Sequence, residues 1–107
     1  QRHHSFEGNG FLAFSTLHVF IDRPGKAIAP ETLRFDTRMT NIVVSFAGID
    51  EHLVTVRLWS GPHRSYNDGG SLLHSFSLQM TSTLRRFELV DDNDLFVDCV
   101  RRVEIES

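Results

Sequence analysis

Apolar and polar residues alternate along most of this chain with a period of two, and turn-forming residues interrupt the alternation about every ten positions. That is the pattern of half-buried β-strands. In the first such stretch, Phe11 to Ile21, Leu12, Phe14, His18 and Phe20 share one face and Leu17, Val19 and Ile21 the other. Asp22-Arg23-Pro24-Gly25 then breaks the pattern with turn chemistry. A short strand is expected over Thr32 to Thr37, with Leu33 and Phe35 opposite Arg34 and Asp36. Another is expected over Asn41 to Ala47, where Ile42, Val44 and Phe46 align.

The clearest alternation runs from Leu53 to Ser60. Val54, Val56 and Leu58 face one side; Thr55, Arg57 and Trp59 face the other. A polar loop follows from Gly61 to Gly70. Next come Leu72 to Met80, with Leu72, Phe76, Leu78 and Met80 aligned, and Leu84 to Val90, with Phe87 and Leu89 aligned. After the acidic turn Asp91 to Asp94, the closing strand covers Val100 to Glu106. It is expected to send Val103 and Ile105 inward and Arg102, Glu104 and Glu106 outward. The only room for a helical turn is between Asp91 and Cys99. Seven to eight short strands at this spacing predict one all-β domain over residues 1–107, an antiparallel two-sheet β-sandwich of the jelly-roll type.

Composition supports a packed domain. The chain has 107 residues, 40% of them hydrophobic, including nine phenylalanines. A chain of this length can bury a core without staples. The formal net charge of −3 argues against a nucleic-acid binder, which would present a basic face. In each of the Arg85-Arg86 and Arg101-Arg102 pairs one side chain is expected to point outward and its neighbour to lie at a sheet edge, because alternation sends neighbours to opposite faces. No apolar run is long enough for a membrane-spanning helix. With the single Cys99 no internal disulfide forms, and its setting among Phe96, Val97 and Val100 predicts a buried, inert thiol. The compartment stays open, with a place in a larger secreted protein favoured.

The order of pieces carries a resemblance. Leu33-Arg34-Phe35-Asp36 is followed by Asn41-Ile42-Val43-Val44-Ser45-Phe46, then Val54-Thr55-Val56-Arg57-Leu58-Trp59 and a Gly-rich loop. Phe87-Glu88-Leu89 and Val100-Arg101-Arg102-Val103-Glu104-Ile105 complete it. From about residue 32 onward this pattern resembles the galactose-binding-like jelly rolls of carbohydrate-binding modules and discoidin-type domains. The resemblance implies binding of sugars, other polar ligands or proteins through loops at one end, with a structural calcium in many members. It carries no ligand residue over to this chain.

Three constellations bear on chemistry. The loop after Trp59 holds His63, Arg64, Tyr66, Asn67 and Asp68. A sugar site needs a flat aromatic for the C–H face of the ring and planar polar groups for its hydroxyls, and these residue types supply both. The plain alternative is a solvated hairpin loop with Trp59 tucked beneath it. Asp91, Asp92, Asp94 and Asp98, with Glu7, offer hard oxygen ligands for a structural Ca²⁺; the plain alternative is a polar turn. Six scattered histidines, among them His18 and His74 on largely apolar faces, show no zinc-ligand spacing and read as structural. There is no G-x-S-x-G, and nothing else points to an enzyme.

Two functions remain. One is a non-catalytic, lectin-like carbohydrate-binding module acting through the Gly61–Gly70 loop with Trp59. The other is a structural or protein-interaction module that forms homo-oligomers. The doubly apolar Phe11–Ile21 stretch suggests the second, because a strand buried on both faces wants a cover.

Overall fold

The computed structural model describes residues 2–7, 15–21, 31–48, 51–63 and 69–106. Among them every regular element is a strand: β1 (Arg2–Glu7), β2 (Ser15–Ile21), β3 (Glu31–Met39), β4 (Ile42–Gly48), β5 (His52–Trp59), β6 (Leu72–Met80), β7 (Arg85–Glu88) and β8 (Val100–Glu106). They form two four-stranded sheets, in the orders β1-β2-β4-β7 and β3-β8-β5-β6. β1 was not legible in the sequence, because its run Arg2-His3-His4-Ser5-Phe6-Glu7 lacks the apolar alternation that marks a strand. The Asp91–Cys99 segment holds no helical turn; it is a short turn closed by a bridge between Val90 and Phe96.

Pairing is antiparallel except between β2 and β4, which run parallel. Parallel neighbours need a crossover connection. Here the chain leaves β2, runs through β3 in the other sheet, and returns as β4. Parallel pairs favour burial on both faces, and β4 has it: Ile42, Val44 and Phe46 enter the core, while Val43 and Ser45 on the reverse face are buried too.

One apolar cluster joins the two sheets. β4 supplies Ile42, Val44 and Phe46, and Leu89 follows β7. The second sheet supplies Val54, Val56, Leu58, Met80, Val100, Val103 and Ile105. Period-two alternation places these residues on the inner faces, and burial of their apolar area holds the sheets together. The Phe46 and Phe87 rings meet at 6.1 Å in a tilted arrangement across the β4–β7 pair.

Three expectations about side chains change. In β6 the register with β5 shifts between Leu58 and Trp59, so Leu73 packs toward the core and Leu72 is exposed. Cys99 is exposed rather than buried. It adopts φ 62° just before β8, a left-handed conformation that interrupts strand alternation, so its apolar sequence neighbours do not enclose it. Arg102 and Glu104, expected outward in solvent, are each only 2% exposed. They do lie on the outer face of β8, but β8 is an interior strand flanked by β3 and β5, so long neighbouring side chains stand on both sides of them.

Candidate functional site

The sequence points to the end of β5, and the geometry there begins with a closed base. The Ser60 amide donates to the Ser71 carbonyl at 3.0 Å, and the Ser71 amide donates to Ser60 Oγ at 2.7 Å. These two bonds pinch the polar loop shut where it leaves the sheet. Gly70 makes the pinch possible. Its φ is +66°, and a Cβ there would run into the Gly61 amide and Ser60 Oγ. Only glycine meets both the left-handed backbone and the close approach.

Trp59 is the last residue of β5 and is half-buried on the outer face of the second sheet. Its partner across the β5–β8 ladder is Arg102, whose guanidinium lies 4.8 Å from the indole centroid. That is cation–π geometry, and burial strengthens the attraction. One face of the indole is thereby occupied, so a sugar can stack only on the other. The indole Nε1–H is buried and has no hydrogen-bond partner among the described residues. His63 is exposed near the loop base. Arg64, Tyr66, Asn67 and Asp68 lie outside the described residues.

Beneath Trp59 runs a band of charge that the sequence reading missed. Arg34 pairs with Arg102 across β3–β8, and Arg57 pairs with Glu104 across β5–β8. Arg57 also forms an ion pair with Glu106, and Arg102 Nε lies 3.9 Å from a Glu104 carboxylate oxygen. Removing ions from water is costly unless opposite charges compensate each other. Arg102 beside Glu104 supplies that compensation and leaves Trp59 resting on a guanidinium. A signal was present in the sequence: Trp59 and Arg57 alternate on one strand, as Arg102 and Glu104 do on another. The antiparallel register that sets them side by side was not.

The acidic segment is built differently. Asp91 Oδ1 accepts from the amides of Asn93 (2.8 Å) and Leu95 (3.1 Å). The Asp91 amide donates to the Leu95 carbonyl, and the Asp94 amide to the Asp91 carbonyl. Asp98 Oδ1 accepts from the Cys99 amide at 2.7 Å. These are self-contained Asx-type turns. Asp92 and Asp94 are exposed, and the side chain of Glu7 lies outside what is described. Among the described residues no three Asp, Glu, His or Cys side chains converge as a metal site would require.

The remaining candidates behave as structural residues. The His74 and Phe76 rings meet at 4.5 Å in a tilted arrangement. Arg85 lies over the Phe87 ring at 5.1 Å and donates to the Gln79 carbonyl, while Arg86 pairs with Glu88 at 3.1 Å. Both arginines of that pair are exposed, on opposite faces of the edge strand β7: Arg85 shares the side of Phe87, and Arg86 that of Glu88. Among the described residues no helix is long and apolar enough to cross a membrane. No family model, curated protein or solved structure matches this chain.

Proposed function

We propose that the chain is a non-catalytic binding module that takes a glycan at the β5–β6 end of its second sheet. The observation that carries the reading is Trp59: a half-buried indole resting on Arg102 at the base of a polar loop, its N–H without a partner among the described residues. An aromatic plate fixed from below stacks a sugar ring with little ordering cost. The loop residues Arg64, Tyr66, Asn67 and Asp68 supply the hydroxyl-binding chemistry in the sequence. Two four-stranded sheets, with a chain that crosses repeatedly between them, support a jelly-roll variant. The parallel β2–β4 pair departs from the pure jelly-roll pattern.

Monovalent binding through one stacked ring falls in the micromolar to millimolar range. Trp59 is the chain's one tryptophan, so its fluorescence reports the site directly. A glycan array selects ligands, and a titration followed by Trp59 emission measures them. Binding should shift that emission and should be lost in Trp59→Ala. Array silence, or a Trp59→Ala protein that still binds, rejects the reading.

A second reading, a structural or protein-interaction module, is favoured by one separate observation. The edge strand β6 contains no Asp, Glu, Lys or Arg.

A further inference from the structure

Among the described residues each sheet has two edges, formed by β1 and β7 in one and by β3 and β6 in the other. Free edges invite pairing with other strands, and proteins block them with charged side chains, proline or bulges. Three of these edges carry charge. β3 exposes Arg34, Asp36 and Arg38; β7 exposes Arg85, Arg86 and Glu88; β1 contains Arg2 and Glu7 in sequence. β6 differs. Its nine residues, Leu72-Leu73-His74-Ser75-Phe76-Ser77-Leu78-Gln79-Met80, include no Asp, Glu, Lys, Arg or Pro.

Two features bound the usable part of this edge. The register shift against β5 disturbs it at Leu73. At the other end Arg85 donates to the Gln79 carbonyl. The regular stretch between them is His74 to Leu78, centred on Phe76. The stretch is self-complementary. Reversed about Phe76, Ser75 meets Ser77, and His74 meets Leu78. Ser75 and Ser77 are exposed, whereas His74, Phe76 and Leu78, which line the inner side of the edge, are only half-buried. A strand laid alongside would cover them.

We propose that β6 pairs antiparallel with β6 of a second copy of this chain, about a two-fold axis through Phe76. The two outer faces then carry Ser75 against Ser77 of the second copy, and no like charges meet. The two inner faces bring Phe76 against Phe76 of the second copy, joining the half-buried edges of both cores. The interface is isologous and closes at two copies, because each β6 offers one edge. A five-residue ladder predicts a weak, concentration-dependent dimer. The inference deepens the protein-interaction reading and does not rest on glycan binding.

The test uses the full chain in sedimentation velocity over a micromolar to millimolar range. The parent should move from monomer to dimer. Ser75→Lys with Ser77→Lys places two lysine pairs directly opposite one another across the axis, and like charges opposite each other are destabilising. That variant should dimerise at least about tenfold more weakly. Ser75→Lys with Ser77→Glu places unlike charges opposite each other in this register and should restore dimerisation. Both positions are exposed, so both variants should melt like the parent, and the charge-swapped variant controls for folding. A parent that stays monomeric throughout, or two variants that dimerise equally, overturns the proposal. Trp59 emission titrations on the lysine variant show separately whether glycan binding stands or falls.

Discussion

The two polar segments that carry the candidate chemistry use their hydrogen-bonding groups in opposite ways. The Asp91–Asp98 segment turns inward on itself. Asp91 holds two backbone amides, Asp98 holds a third, and the Val90–Phe96 bridge closes the turn. Two of its four aspartates, Asp91 and Asp98, already serve as acceptors within the segment. The β5–β6 end is tight at its base, where Ser60, Gly70 and Ser71 lock together, yet it leaves an indole N–H without a partner among the described residues. A polar segment whose donors and acceptors satisfy one another has little to offer a ligand. An aromatic face held on a rigid base has something to offer.

The comparison can be broken most severely from below. Arg102→Ala removes the cation under Trp59 and takes a guanidinium from beside the buried Glu104 carboxylate. Removing one partner of a buried pair costs about 3–5 kcal/mol. Urea denaturation should show that loss, and the tryptophan emission should shift red as the indole loosens. A loss below about 1 kcal/mol would mean that the charged band does not support the site.

Gly70→Ala attacks the base of the loop itself. A left-handed backbone and a blocked Cβ together should cost roughly 2–3 kcal/mol, measured by the same denaturation. Unchanged stability would show that the Ser60–Ser71 pinch relaxes freely.

In the acidic segment the expected effects are smaller and uneven. Asp91→Ala strips the acceptor from two amides and should cost about 1–2 kcal/mol. Asp92→Ala, an exposed side chain, should stay within about 0.5 kcal/mol of the parent. Equal losses at the two positions would contradict the turn geometry.

The least effect is expected from calcium. Melting in excess EDTA and in millimolar Ca²⁺ should coincide to within about 1 °C, because a ligand that binds only the folded state would raise the midpoint by mass action. A clear rise with calcium, lost in Asp92→Ala with Asp94→Ala, would make this segment a metal site after all.

The strands from residue 31 onward were legible because their inner residues recur every second position. Val54, Val56 and Leu58 face the core as the alternation requires, as do Val103 and Ile105. Cys99 shows where such reading fails. Its apolar neighbours suggest burial, but one left-handed residue turns the chain and exposes the thiol. Leu72 fails for a related reason, since a single register shift exchanges its place with Leu73. Of the candidate site, Trp59 and the loop could be found from residue type alone. Arg102 could not, because an arginine that alternates with core residues reads as solvated.

The sequence by itself determined that the chain would be all-β, where most strands lie, and which side of β4, β5 and β8 carries the apolar residues of the core. Those properties are local: they follow from the period of two and from the turn residues. The tertiary structure decided which strands became neighbours. It set β4 parallel to β2, brought Arg102 under Trp59 and Glu104 beside Arg57, and put β6 at an edge. Strand pairing joins residues more than forty positions apart, as Trp59 and Arg102 are, and alternation along one strand carries no information about its neighbour. That is why the same polar face reads as solvent-exposed in the sequence and is buried where β8 runs between two partners.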